Sequence, residues 1–117
     1  MGNPVLEKSF RFSVRIVRAC DYLRRVKKET VLSKQLLRSG TSIGANVSES
    51  QQAQSRADFV SKLSIALKEA NETDYWLRLL HETNYLTNSE FDSLYSDFLE
   101  IKRLLSSIVH KVKNDRT

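Results

Sequence analysis

The chain has 117 residues, the length of one domain built on one hydrophobic core, so residues 1–117 read as a single unit. Apolar residues make up 40% and charged residues 28%, which suits a soluble globular or helical-bundle protein and argues against wholesale disorder. Three Gly and one Pro leave little of the punctuation that many short strands need, and no apolar run approaches the roughly 18 residues of a membrane span. The opening MGNPVLEKSFRF lacks a signal peptide's apolar stretch and cleavage site, and the one cysteine, Cys20, cannot form an intramolecular disulfide or a cysteine cage for a metal. These features predict a reduced, cytoplasmic, soluble chain.

The first helical pattern spans 5–28. Phe12, Ile16, Ala19, Leu23 and Val26 recur at spacings 4, 3, 4, 3, and Leu6, Phe10, Val17 and Cys20 widen the stripe. Asn3 and Pro4 supply a cap and a first-turn residue, and Lys27 and Lys28 complement the negative end of the helix dipole. The second segment, 33–52, is less regular. Leu36, Ile43 and Val47 share one side and Ser33 is available as N-cap. Between them, Ser39-Gly40-Thr41-Ser42-Ile43-Gly44-Ala45 reads as a loop by propensity, or as a helix whose small residues admit a close neighbour. The flanking period favours the helix.

Residues 55–82 carry a heptad seam of Phe59, Leu63, Ala66, Ala70, Thr73, Leu77 and Leu80. Ser55 and Asp58 resemble a capping box, and Asp58/Lys62, Lys68/Glu72 and Asp74/Arg78 are opposite charges four apart. Residues 87–112 repeat the pattern with Phe91, Leu94, Phe98, Ile101, Leu105, Ile108 and Val112, opened by the capping box Thr87-Asn88-Ser89-Glu90. Four long helices on short links predict an all-α, up-and-down antiparallel four-helix bundle. A helix of about 25 residues is roughly 38 Å long, so the bundle is elongated.

The net charge of +5 is uneven: residues 1–30 hold eight Lys and Arg against three Asp and Glu, and the remaining segments nearly balance. Arg11, Arg15, Arg18, Tyr22 and Arg25 follow spacings 4, 3, 4, 3 on the side of the first helix away from Ile16 and Leu23, and Arg24, Lys27 and Lys28 add charge near its end. Such a ladder can meet successive phosphates of RNA or DNA, with Tyr22 stacking on a base. An acidic protein surface, or water alone, would also suit it.

On the third helix, Ile65, Trp76 and Leu79 project roughly opposite the seam, with Glu69 and Glu72 on the same side. An apolar stripe there predicts a subunit interface, with a two-fold dimer as the default, unless Trp76 is only the edge of a broad core. The two carboxylates need a partner, and the forked guanidinium of Arg38 is the candidate, in a network setting helix register or a subunit contact.

No catalytic constellation is present. The stretch Gly40-Thr41-Ser42-Ile43-Gly44 lacks the Gly-Lys-Ser/Thr ending of a phosphate loop. His81 and His110 lie on different helices without an HExxH or Glu-x-x-His pattern, so no metal or other cofactor is expected. His81 reads as a helix-end residue and Cys20 as a small buried hydrophobe.

Two runs carry a resemblance. The run from Leu32 to Glu49, LSKQLLRSGTSIGANVSE, and the run from Ser55 through Glu69-Ala70, Glu72-Thr73 and Tyr75-Trp76-Leu77 look like the two signatures of the four-helix bundle proteins encoded in intervening sequences of bacterial 23S ribosomal RNA genes. Ser50, after Glu49, departs from the pattern. The resemblance implies an up-and-down bundle and a ring-like homopentamer in place of the dimer default. Its motif positions are Arg38, Ser39, Ser42, Asn46, Glu49, Lys68, Glu69, Glu72 and Trp76, implied to be structural or assembly residues. The family is similar to accessory proteins of diversity-generating retroelements, basic pentamers that associate with nucleic acid and a reverse transcriptase. The expectation is a non-enzymatic homo-oligomer that binds structured RNA through its first helix. The alternative is an oligomeric scaffold for an acidic partner such as a reverse transcriptase.

Overall fold

The computed structural model describes residues 2–114. Four helices follow one another, α1 (Pro4–Arg25), α2 (Leu32–Ser50), α3 (Arg56–Glu82) and α4 (Asn88–Asn114), with no strand among the described residues. Consecutive helices pack together and α4 returns to α1, leaving α1/α3 and α2/α4 as the diagonals. Short connections make neighbours antiparallel, so the architecture is an up-and-down four-helix bundle of 51 × 25 × 21 Å.

Local chemistry sets each start. Asn3 accepts from the Leu6 N–H at 3.3 Å and Pro4 opens the first turn of α1. The Ser55 hydroxyl accepts from the Asp58 N–H at 3.0 Å at the head of α3. Thr87 and Glu90 form the reciprocal capping box of α4, with bonds of 2.8 and 3.1 Å. The start of α2 departs from expectation. Ser33 lies inside the helix, and the side chain of Glu29 caps it instead. One carboxylate oxygen accepts from Val31 and Leu32 N–H at 3.0 and 2.9 Å, and the other from Ser33 N–H at 2.7 Å.

The first helix stops at Arg25, earlier than the expected 28. The Glu29 N–H returns to the Leu23 carbonyl at 2.9 Å across Lys28, whose φ is 59°. This is a left-handed helix stop in which a lysine stands where glycine is usual. Lys27 and Lys28 therefore lie beyond the last regular turn, and Arg24 and Arg25 occupy that turn. The same closure ends α3, from Leu86 N–H to the Leu80 carbonyl across Asn84 at φ 68°.

The core runs the length of the bundle through Phe12, Ile16 and Leu23, Leu36, Ile43 and Val47, Leu63 and Leu77, and Phe98, Ile101 and Leu105. Cys20 is buried in it as expected. Phe10 and Val17 are not: they are 69% and 49% exposed, because they point away from the Phe12–Ile16 direction of α1. Val26 is 60% exposed because the helix has ended. In α4 the stripe moves from Ile108, which is half-buried, to Val109, which is buried. A strict seven-residue repeat slips by about 20° per heptad around a straight helix.

The small-residue stretch of α2 is helical throughout. A Cβ on Gly40 would stand 2.9 Å from Ile16 Cγ2, and one on Gly44 would stand 2.9 Å from Ser13 Oγ and 3.0 Å from the Ser9 carbonyl oxygen. The two glycines let α2 lie against α1 at a distance no larger residue permits. On its other side, the Thr73 hydroxyl of α3 donates to Ser39 Oγ at 3.0 Å in the buried α2–α3 contact.

Candidate nucleic-acid interface

The turn of α1 that faces the core through Phe12 and Ile16 presents Arg11 and Arg18 to solvent. Arg11, Arg18 and Arg25 are seven residues apart, which places them roughly 10 Å apart along one face. Arg11, Arg18, Lys27 and Lys28 are exposed and form no ion pair among the described residues. Arg24 and Arg25 flank Asp21 at 3.7 and 3.5 Å, with side chains 50% and 75% exposed, so both remain open to a ligand.

Arg15 breaks the expected ladder. It turns into the α1–α4 seam, where its guanidinium donates to Asp97 at 2.7 Å, to the Ser93 carbonyl at 3.1 Å and to Ser93 Oγ at 2.8 Å. Lys8 pairs with Glu100 at 3.2 Å along the same seam. Sequence spacing could not separate Arg15 from Arg11 and Arg18, because the acid that claims it, Asp97, is 82 residues away. Tyr22 is half-buried and, with Arg15, Arg18, Ala19, Leu86, Glu90 and Leu94, lines a cleft of about 300 Å³ between α1 and α4. The ladder thus resolves into an exposed basic face and a mixed cleft beside it.

The second group does meet. Arg38 of α2 donates to Glu69 at 3.1 Å and to Glu72, and the Trp76 indole N–H donates to the same Glu72 oxygen at 3.0 Å. The Trp76 and Arg38 bonds hold the Glu72 carboxyl below its ordinary pKa, and Glu72 with Glu69 raises that of Arg38. Trp76 is half-buried against the core, Leu79 is half-buried and Ile65 is 41% exposed, so the apolar stripe is partly the core edge. Exposed Tyr75 packs edge-on to Trp76 at 5.0 Å and continues the surface. The Asp74/Arg78 pair forms at 3.5 Å, whereas Lys62 reaches across to Glu49 of α2 at 3.1 Å.

The reactive side chains are occupied structurally. Burial pushes the Cys20 thiol up to about 12, and its Sγ donates to the Ser33 carbonyl at 3.3 Å. His81 stacks on Phe91 with ring centres 4.2 Å apart, and its Nε2 meets Asn88 Oδ1 at 2.7 Å. Tyr95 donates to Asp74 at 2.6 Å, which raises its pKa. Among the described residues, no group of three His, Cys, Asp or Glu side chains could hold a metal, and no helix is long and apolar enough to cross a membrane.

Residues 2–107 match the family model described as 23S rRNA-intervening sequence protein. The chain belongs to that family. A crystal structure from Bacteroides thetaiotaomicron, described as a protein of unknown function from the S23 ribosomal protein family, is 58% identical. The match covers 90% of this chain and 97% of that one, with a TM-score of 0.88. No curated protein sequence matches the chain. In this family member both signature runs fall on the α2–α3 pair. Arg38, Glu69, Glu72 and Trp76 form one polar network there, and Lys62 bonds Glu49. The basic face of α1 lies outside those runs.

Proposed function

We propose that this chain is a non-enzymatic, cytoplasmic homo-oligomer, a pentamer, that binds structured RNA through the outer face of α1 and the turn that follows it. The observation that carries this reading is the exposure of Arg11, Arg18, Lys27 and Lys28 with no acidic partner among the described residues, continued by Arg24 and Arg25. Cations left open on one face attract a polyanion, and repetition of that face around an assembly multiplies the contacts without new chemistry. The α2–α3 edge, with Arg38, Ile65, Glu69, Glu72, Trp76 and Leu79, is the proposed subunit contact. The high thiol pKa of Cys20 and the structural engagement of His81 support a non-enzymatic role.

A second reading, a scaffold for an acidic protein, is favoured by Phe10, 69% exposed on the same helix as the arginines. Fluorescence anisotropy with a labelled RNA hairpin and a matched DNA duplex, across a salt series, separates the two. Binding is expected to weaken steeply with salt, with a slope of about −0.9 per phosphate neutralised on a duplex. Arg11→Glu/Arg18→Glu, of unchanged fold and mass, is expected to lose most of the affinity and to flatten the slope. Equal binding by that variant, or none by the wild type at low salt, moves the assignment to the protein scaffold.

A further inference from the structure

The cleft between α1 and α4 is unlike the rest of the basic face. Its floor is apolar, made by Ala19, Leu86 and Leu94, and Tyr22 forms part of one wall. Arg18 belongs both to this cleft and to the exposed arginine row, so cleft and row share an edge. The other arginine, Arg15, is held by Asp97 and Ser93, leaving it less charge to offer. Glu90 lines the opposite side, its Oε1 already accepting from the Thr87 N–H. An anion is served by Arg18 at the edge shared with the row and opposed by Glu90, whereas a neutral planar ring that carries N–H donors meets the Tyr22 side chain, an apolar lining and an acceptor. The volume of about 300 Å³ is at the small end of ligand sites, enough for one ring system.

We infer that the cleft receives a single unpaired nucleobase of a bound strand, stacked on Tyr22, while the adjoining phosphates lie on Arg18 and the exposed row. Bases with an exocyclic amine, adenine, cytosine and guanine, suit it better than uracil or thymine, since that amine donates toward Glu90. Paired bases in a duplex cannot reach it, because their faces are covered by stacking and their edges by pairing. The protein therefore selects loops, bulges and single-stranded segments over continuous helix. This rests on the proposed polyanion face of α1 and names the part of the ligand that face selects.

The test compares an unstructured adenine- and cytosine-rich strand of about 12 nucleotides, as RNA and as DNA, with the duplex of the same sequence. Wild-type protein is expected to bind both single strands about tenfold more tightly than the duplexes. A 2-aminopurine placed in the strand should be quenched on binding. Tyr22→Ala is expected to bring the single-strand to duplex ratio towards one and to remove the quenching, whereas Tyr22→Phe keeps both. Ala19→Leu, which fills the floor, should act like Tyr22→Ala, so the test does not depend on one variant's fold. A single-strand preference unchanged in Tyr22→Ala and Ala19→Leu overturns the base cleft and leaves the polyanion face standing. Absence of binding to any strand or duplex overturns both.

Discussion

Glu29 shows how one side chain can fix a junction that pattern reading assigns elsewhere. Burial raises its carboxyl pKa, but the N–H donors of Leu32, Ser33 and Val31 outweigh that and leave it below the ordinary 4.5. The lowered value means that the folded state holds the charged form, so its stabilisation is present above the ordinary carboxyl pKa and is lost as pH falls through the folded one. Glu29→Gln keeps the shape but must turn an NH2 group against at least one of those N–H donors. At pH 7 it is expected to cost about 2 kcal/mol and to lower the thermal midpoint by roughly 5–10 °C, read by circular dichroism. As pH falls below the ordinary carboxyl pKa and through the lower folded one, the wild type loses its own charge and the two melting curves should converge. A gap that stays constant throughout an acid titration of the folded protein would remove the charge from the explanation. In sequence, Ser33 was the better cap by residue type. Only the left-handed stop at Lys28, which folds Glu29 back over the first turn of α2, shows otherwise.

The helices themselves were legible because their stripes are long and their caps are local. All four starts rest on residues within four positions of one another, and in three of them the capping residue is the one its type announces. What spacing did not show were contacts made across the bundle, such as Arg15 with Asp97 or Lys62 with Glu49. The second helix is the sharpest case, since its glycines weaken an isolated helix by about 1 kcal/mol each and the reason for them lies on α1. On an open helix surface Gly44→Ala would therefore stabilise. Here its Cβ would meet the Ser9 carbonyl oxygen at 3.0 Å, a backbone atom that cannot rotate aside, as well as Ser13 Oγ at 2.9 Å. Overpacking of this kind costs about 1–3 kcal/mol, so Gly44→Ala should reduce stability by about 1 kcal/mol net in urea unfolding. Gly40→Ala meets Ile16 Cγ2 and Cγ1 at 2.9 and 3.0 Å, the stiff branch point of a fully buried side chain, and should also destabilise. A stabilised Gly44→Ala would mean that α1 and α2 are not closely apposed in solution.

At the scale of the whole molecule, two faces differ in how their charges are matched. The α1 face keeps Arg11 and Arg18 without an ion pair among the described residues, whereas the α2–α3 edge has matched its charges: Arg38 serves two glutamates, and Trp76 covers one of them. An exposed ion pair contributes about 0–1 kcal/mol, so as an isolated surface feature this network would matter little. As part of a subunit contact it is desolvated by the partner, and removal of Arg38 would leave Glu69, whose side chain is only 15% exposed, buried without a counter-charge. Loss of one partner from such a pair weakens association, because the other charge is left buried and unpaired. Arg38→Ala is therefore expected to lower the mass in solution, measured by light scattering, from near five times the 13.5 kDa of one chain to smaller species. Arg11→Glu/Arg18→Glu should keep the larger mass while losing RNA, which makes assembly and binding separable. If Arg38→Ala keeps both its mass and its unfolding midpoint, the network is surface decoration and the contact between copies lies elsewhere. A lowered midpoint at unchanged mass confines its role to holding α2 against α3 within one chain.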